Sequence, residues 1–218
     1  MTNTSLIVVP GGRASHYSED LRGIANRNII DYVRNGGNYL GFCAGSYYAA
    51  NQVEFEVGDP ELETVGPRPL SFFPGTCRGA AFPGFQYSSE AGAQAARIAA
   101  MHTGMVYPVY WNGGGAFINA DNYKGVKVLA RYRDISNSSR NAAVILTRFG
   151  QGRALLSAVH AEYVPTPDNR VLYNAITPYQ TRIDNLVSIW LGLLRLELRQ
   201  VNTHSKEPFV AHYRHDEF

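Results

Sequence analysis

The sequence has few cysteines and no long apolar run, and each absence excludes a class of protein. Two cysteines among 218 residues are too few for a disulfide framework, so we expect a reducing compartment. No stretch approaches the roughly 20 consecutive apolar residues that a membrane helix needs. Residues 1–5 show no basic region leading into the apolar run of a signal peptide. We therefore expect a cytoplasmic protein that does not associate with membranes.

Charge is also scarce. Only 17% of the residues are charged and the net charge is +2 at pH 7, so we expect no nucleic-acid partner. Hydrophobic residues reach 45%, which is enough for a sizeable core. We assign residues 1–200 to one α/β domain and residues 201–218 to a polar C-terminal tail. The histidines lack the spacing of metal ligands, so we expect no metal and no other cofactor.

Residues 39–50 carry the main functional signal. A short apolar run breaks at Gly41–Gly45, with Cys43 at its centre, and then continues with residues that suit a helix. A cysteine between two glycines at a strand-to-helix joint is typical of a nucleophile elbow. The following amide, that of Ala44, would be free to donate to an oxyanion, and the helix N-terminus would favour the thiolate. The alternative is a buried, inert cysteine in a glycine-rich turn.

The chain before the elbow predicts a strand, a helix and a second strand. Residues 6–9 are a continuous apolar strand that ends at Gly11 and Gly12. A helical pattern over residues 21–33 follows, and the Gly36–Gly37 pair closes it. Such a βαβ unit predicts a parallel sheet with its loops at one edge. The amides of the Gly11–Gly12 loop would then point into a site, although a plain turn fits this pair equally well.

The chain after the elbow is rich in glycine, proline and aromatic residues. We predict that residues 54–85 form an insertion of loops and short strands that overhangs Cys43 and shapes a pocket. Cys77 lies in this insertion without an elbow frame, and we interpret it as structural. Residues 90–100 are alanine-rich and suggest a short helix. The candidate pocket residues are Gly11, Phe42, Gln86, Tyr87 and Asn112.

A histidine and a carboxylate follow a later strand. Apolar strands are predicted at residues 126–130, 142–147 and 154–157. His160 comes just after the last of them, and Glu162 lies two residues further on. His160 would take the proton of Cys43, and Glu162 would fix the tautomer and orientation of the imidazole. A His-x-Glu pair alone is common by chance, so its place after the elbow is what gives it weight.

The C-terminal part predicts a loop and a long helix. Residues 165–175 are interpreted as the loop. Residues 177–180 then form a capping box, and apolar residues at helical spacing continue to Leu198. We expect this helix to pack on the sheet.

Several segments together resemble a known family. The segments are Val9–Gly12, Gly41–Gly45, Phe72–Gly75, Gly84–Tyr87, Ser89–Gly92, Asn112–Gly114 and His160–Glu162. They resemble the class I glutamine amidotransferase-like superfamily, and within it the amidotransferase-like N-terminal domain of fungal biotin–protein ligases. The resemblance implies a flavodoxin-like α/β fold, with a mostly parallel sheet, helices on both faces and the Gly/Pro/aromatic insertion over the site.

The same resemblance implies roles for individual residues. Cys43 would be the nucleophile, His160 the base and Glu162 its orienting carboxylate. The amides of Gly12 and Ala44 become the candidate oxyanion donors. The family domain usually begins with a further strand–helix–strand unit, which we expect this chain to lack or to replace.

Two functions stay open at this point. The first is a thiol amidase or hydrolase that acts on a small amide or acyl substrate through a thioester. The second is a non-catalytic ligand-binding or regulatory module related to biotin–protein ligase, without ligase activity in this chain, because no Gly-Arg-Gly-Arg-type loop is present. Both functions imply a small-molecule substrate or ligand, and the partner would be a ligase domain or a second copy of the chain. An α/β-hydrolase fits less well, because its acid precedes the histidine.

Overall fold

The structure is a computed structural model that describes residues 4–194. The strands are β1 Ile7–Val9, β2 Asn38–Phe42, β3 Ala50–Phe55, β4 Thr64–Pro67, β5 Phe73–Gly79, β6 Gln94–Ala100, β7 Val106–Trp111, β8 Ala116–Phe117, β9 Val126–Tyr132, β10 Ala142–Phe149 and β11 Gly152–Ser157. The α-helices are α1 Ala14–Asp20, α2 Ile24–Arg34, α3 Ala44–Tyr48, α4 Arg170–Ile176 and α5 Gln180–Gly192. None of these described helices is long and apolar enough to cross a bilayer. The predicted tail, residues 201–218, and the predicted helix end at Leu198 lie outside the described residues.

The strands form one mixed sheet in the order β1-β2-β11-β10-β8-β5-β3-β4, and β9, β6 and β7 extend from β10. β2 pairs in parallel with β1 on one side and with β11 on the other. β3 and β5 form a second parallel pair. The remaining pairs are antiparallel. The predicted parallel arrangement therefore applies to the strands around Cys43, and an antiparallel extension adds to it.

The register of the three parallel strands positions the candidate site. Gly41 of β2 lies opposite Val9 of β1 and opposite Leu156 of β11. The carboxyl ends of all three strands therefore meet at one edge of the sheet. This is the edge at which open α/β sheets usually bind ligands.

Helix α2 forms where the apolar spacing predicts it. Ile29 and Val33 are buried on its inner face, together with Asn26. The helix ends at Arg34, and Gly36 follows with a positive φ of 107°, a conformation that favours glycine. The residues just before it form a separate short helix, α1, which the sequence pattern does not predict.

The predicted loop-and-short-strand insertion over residues 54–85 contains the end of β3 and the whole of β4 and β5, with loops between them. The predicted helix over residues 90–100 is wrong, because β6 pairs with β7 on one side and with β9 on the other. Ala96, Ile98 and Ala100 alternate inward and are buried. Pairing on both sides outweighs the modest helix preference of alanine.

Two predictions near the C-terminus also need correction. The segment predicted as a loop, residues 165–175, contains most of α4. The capping box is absent, because α4 continues through a 3₁₀ turn into α5 and the amide of Thr177 already donates to Tyr173. The side chain of Gln180 instead donates to Asp184 at 2.8 Å.

The described part of α5 packs as its apolar spacing predicts. Ile183, Leu186 and Trp190 are buried and belong to the same core as the strands. Large side chains of that core, Tyr39 and Phe72 among them, are fully buried. The strand ends that carry the candidate site therefore rest on a close-packed support.

Candidate active site

Cys43 lies between β2 and α3 in a strained backbone conformation. Its φ is 44° and its ψ is −102°, a combination that side-chain-bearing residues rarely adopt. The amide of Cys43 donates to Ser157 of β11 at 2.8 Å, and the amide of Gly45 donates to Pro10 after β1 at 3.1 Å. Hydrogen bonds to both neighbouring strands therefore hold the turn in its strained form.

A glycine is required on the helix side of the turn. A Cβ atom at Gly45 would lie 2.1 Å from the carbonyl oxygen of Val9, so no larger residue lets the turn approach β1 this closely. Helix α3 contains only five residues. Its dipole is therefore a minor influence on Cys43, and the side chains around the thiol dominate the electrostatics.

His160 lies just after β11, with Glu162 behind it. The His160 amide donates to the carbonyl of Tyr110 at 2.9 Å, which fixes the backbone at the histidine. The Nδ1 atom of His160 lies 2.7 Å from Oε1 of Glu162, and each side chain is 16% exposed. The ring also interacts with Cys43, which raises the pKa of the imidazole. The structure thus brings the three predicted catalytic side chains together.

The surroundings of His160 stabilise its protonated form. Burial alone would lower the pKa of the imidazole, but the Glu162 carboxylate and Cys43 outweigh burial and raise the pKa of His160 to about 10. The second carboxylate oxygen of Glu162 is buried and has no hydrogen-bond partner among the described residues. The arrangement therefore holds a proton on His160 at neutral pH, directly beside the thiol.

The two candidate oxyanion donors lie on either side of the elbow. Ala44 occupies the first position of α3, and Gly12 follows β1 with a φ of 126°. Neither amide donates a hydrogen bond to another of residues 4–194. The Gly12 loop approaches the histidine closely, because a Cβ atom at Gly11 would lie 2.5 Å from Cε1 of His160. Tyr17 supports this loop by donating to the Gly11 carbonyl at 2.9 Å.

Asn112 is in contact with the Cys43 thiol through its backbone. The Cys43 thiol donates to the Asn112 carbonyl with a sulfur–oxygen distance of 3.7 Å. The Asn112 side chain donates to the carbonyl of Ser89 at 3.0 Å. Asn112 therefore connects the elbow to the segment before β6.

The other predicted pocket residues differ in their placement. Tyr87 is 36% exposed, and its ring packs on Phe85 with 4.9 Å between the ring centroids. Gln86 is exposed and forms no hydrogen bond with the described residues. Phe42 is buried in the core, where it contributes to packing.

The structure adds residues that the sequence analysis did not select. The guanidinium carbon of Arg13 lies 5.1 Å from the ring centroid of Tyr87. Glu90 accepts from Asn169 at 2.9 Å and from Tyr110 at 3.4 Å, and the Tyr110 ring packs against His160. Arg13 directly follows the Gly11–Gly12 pair, and this adjacency was the available signal. The Glu90 cluster joins segments far apart in the sequence and left no local signal.

Cys77 is fully buried in β5, and burial, followed by the charge of Cys43, raises the pKa of its thiol. This environment agrees with a structural role for Cys77. Within residues 4–194, no group of three or more His, Cys, Asp or Glu side chains is arranged to hold a metal ion.

Comparison with known proteins identifies the family of the chain. Residues 1–208 match the family model described as biotin-protein ligase, N terminal. The chain belongs to this family. It is 43% identical over 216 residues to a biotin–protein ligase of Schizosaccharomyces pombe, and the match covers 96% of this chain and 33% of that protein. It is also 39% identical over 163 residues to an uncharacterized protein of Chlamydia muridarum, covering 74% of this chain and 62% of that one.

This chain therefore spans about a third of the length of the fungal ligase. Among solved structures, it is similar to a glutamine amidotransferase, with a TM-score of 0.50 and 22% identity over 72% of this chain and 70% of that one. This likeness concerns the fold alone. It confirms the expected α/β, flavodoxin-like architecture of the glutamine amidotransferase-like type.

Proposed function

We propose that this domain is a cysteine-dependent amidase or hydrolase that acts on a small amide or acyl substrate through a thioester. The observation that carries the proposal is the position of His160. Its ring is 2.7 Å from the carboxylate of Glu162, and its pKa is raised by interaction with Cys43 at the strained elbow. A nucleophile, a base and a group that orients the base are the minimum needed for acyl transfer.

The proposed reaction begins with the thiol proton on His160. The Cys43 sulfur attacks the carbonyl carbon of the substrate, and the carbonyl electrons move to the oxygen. His160 donates its proton to the leaving amine as the carbon–nitrogen bond breaks, which leaves a thioester on Cys43. Water then attacks the thioester and gives a proton to His160, and the carbon–sulfur bond breaks. The net reaction converts an amide and water into an acid and an amine.

The amides of Gly12 and Ala44 are the proposed oxyanion donors. Because they donate to no other described residue, they have no competing acceptor among residues 4–194. A donor directed at the developing oxyanion contributes about 3 kcal/mol to the stabilisation of the transition state. Glu162 would act through His160, by holding the imidazole in one orientation and by stabilising its charge.

A non-catalytic role has its own supporting observation. Cys43 is only 6% exposed, and its thiol already donates to the Asn112 carbonyl. A domain that binds a ligand at this edge and regulates an associated ligase domain would also fit membership of the family. In that alternative the chain carries no ligase activity of its own.

An acylation assay with p-nitrophenyl acetate distinguishes the two functions. We expect a burst of about one p-nitrophenolate per protein, together with an acetyl group on Cys43 in the mass spectrum. Cys43→Ala should abolish both signals. Cys77→Ala is the matched control, and it should retain them because Cys77 is fully buried in β5.

The outcome that contradicts the enzymatic proposal is equally specific. The binding module would be favoured if the wild-type protein is not acetylated. It would also be favoured if Cys43→Ala is acetylated at the same rate as the wild type. A burst of normal size in the wild type and in Cys77→Ala supports the proposal. Amide substrates would then be screened with Cys43→Ala as the blank.

A further inference from the structure

The carboxyl end of β7 contacts both members of the candidate thiol–imidazole pair. The carbonyl of Tyr110 accepts the amide of His160 at 2.9 Å, and the Tyr110 ring packs against the imidazole with 5.7 Å between the ring centroids. Two residues later, the carbonyl of Asn112 accepts from the Cys43 thiol, with a sulfur–oxygen distance of 3.7 Å. A displacement of this short stretch would therefore change how the imidazole and the thiol face each other.

The segment before β6 holds the same stretch at two points. The side chain of Asn112 donates to the carbonyl of Ser89 at 3.0 Å. The hydroxyl of Tyr110 donates to Oε1 of Glu90 at 3.4 Å. The other carboxylate oxygen of Glu90, Oε2, accepts from Asn169 at 2.9 Å, and Asn169 is the N-cap residue of α4. Glu90 therefore joins Tyr110 to the beginning of a helix.

The partners of the Glu90 carboxylate are neutral donors. Glu90 is partly buried and forms no ion pair with a cation of residues 4–194. Burial raises the pKa of the Tyr110 and Tyr163 phenols, and the charge of Glu90 raises both further, so both hydroxyls stay protonated at neutral pH. The Tyr163 ring also packs on the Tyr110 ring, with 4.3 Å between the centroids. Hydrogen bonding to a charged acceptor and ring packing together fix the Tyr110 side chain.

The contacts of the His160 ring explain why a fixed Tyr110 matters. Glu162 lies 2.7 Å from Nδ1, but a contact at one nitrogen still allows the imidazole to swing about that point. Gly11 lies against Cε1 and has no side chain to restrain the ring. The Tyr110 ring packs against the imidazole and opposes such a movement.

We infer that Glu90 and Tyr110 are positioning residues, which hold the imidazole of His160 in its orientation toward the Cys43 thiol. Glu90 acts through the hydroxyl and ring of Tyr110, and neither residue needs to touch a substrate. Side chains that are locked by packing and hydrogen bonds keep a functional group within the narrow range of geometry that chemistry needs. The inference rests on the proposed function in one respect, since it takes Cys43 and His160 as the reacting pair.

A double-mutant cycle tests the inference through alkylation of Cys43. Tyr110→Phe keeps the ring and removes the hydroxyl, and Glu90→Gln leaves one acceptor oxygen for two donors. We expect each single variant to slow the modification of Cys43 by iodoacetamide at pH 7 about threefold, as for the loss of one hydrogen bond. The double variant should also be about threefold slower than the wild type, because both changes break the same contact. Tyr107→Phe is the matched control on the other face of β7, and it should keep the wild-type rate.

NMR titration of the His160 ring distinguishes positioning from a loss of stability. The Glu162 carboxylate and Cys43 raise the pKa of His160 to about 10, and both effects depend on short distances. We expect the titration midpoint to fall by about 0.5 pH unit in Tyr110→Phe and in Glu90→Gln, because a loosened imidazole spends less time in these contacts. A variant that is less stable but still folded, with the imidazole in place, would keep the wild-type midpoint.

The outcomes separate this inference from the proposed function. An unchanged alkylation rate and midpoint in both single variants overturn the positioning role, even if p-nitrophenyl acetate acetylates Cys43. A double variant that is about ninefold slower than the wild type also overturns it, because the two residues would then act independently. If the wild type is not acetylated but both single variants show the slower alkylation and the lower midpoint, the proposed function fails and the positioning role stands.

Discussion

The two cysteines of this protein are both buried, yet the regions around them differ in every respect that matters for reactivity. Cys77 lies within β5, between β3 and β8, in regular extended backbone. Cys43 lies in a strained turn at the end of three parallel strands, with φ at 44°, and it interacts with the His160 ring and raises the pKa of that ring. The two sites share burial but differ in backbone geometry and in the neighbouring cation.

This difference shows that burial alone does not decide what a thiol can do. Burial disfavours the charged form, and for Cys77 it raises the pKa. At Cys43 the same burial is accompanied by His160, which Glu162 keeps protonated. A residue at the carboxyl end of a parallel strand can contact side chains from the loops that follow the neighbouring strands. A residue in the middle of a paired strand is surrounded by the packed core.

The largest effect should come from comparing the two thiols directly. We expect iodoacetamide at pH 7 to modify Cys43 roughly a hundredfold or more faster than Cys77 in the native protein. His160→Ala should remove most of this difference, because it removes the cation beside Cys43. Mass spectrometry of the two cysteine-containing peptides provides both rates. Equal rates for the two thiols, or a Cys43 rate that His160→Ala leaves unchanged, would contradict the contrast.

The strained turn can be tested through its glycine. Gly45→Ala should lower the free energy of unfolding by about 3 kcal/mol, because the added methyl group overlaps with the Val9 carbonyl. Gly192→Ala is the matched control, since a Cβ atom there meets nothing within 4 Å. Its effect should stay within about 1 kcal/mol. Denaturant unfolding curves measure both changes, and similar values for the two variants would show that the turn tolerates a side chain.

A further effect concerns the pH dependence of stability. The pKa of His160 is raised from 6.5 to about 10 in the folded protein, so the folded state binds more protons than the unfolded state between these values. This group therefore contributes its full stability below about pH 6.5, and the contribution is lost as the pH rises to about 10. The free energy of unfolding, measured at several pH values from about 6.5 to about 10, should fall as the pH rises.

Glu162→Gln is the variant that sharpens this last comparison. It removes the carboxylate that favours imidazolium, so the decrease between pH 6.5 and 10 should become shallower. NMR titration of the His160 ring provides an independent reading, and its midpoint should fall in the variant. A slope and a midpoint identical to those of the wild type would show that Glu162 does not hold the proton on His160.

The outcome of the strand and helix predictions depends on how local their signals are. The strand before Cys43 and the strand before His160 were predicted in place, since short apolar runs bounded by turn residues identify them. The alanine-rich segment around Ile98 was predicted as a helix and is β6. One of its neighbouring strands, β7, is the next strand along the chain, but the other, β9, begins only at Val126. No local pattern in the segment indicates the pairing with β9.

The sequence by itself determined the elbow, the His-x-Glu pair and the order of the surrounding strands, because each depends on residues within a few positions of one another. Only the tertiary structure decided that His160 reaches Cys43, that Tyr110 packs against His160, and that Arg13 meets Tyr87. These contacts join segments whose proximity arises from strand order and register. That order depends on packing summed over the whole core, which no short stretch of sequence contains.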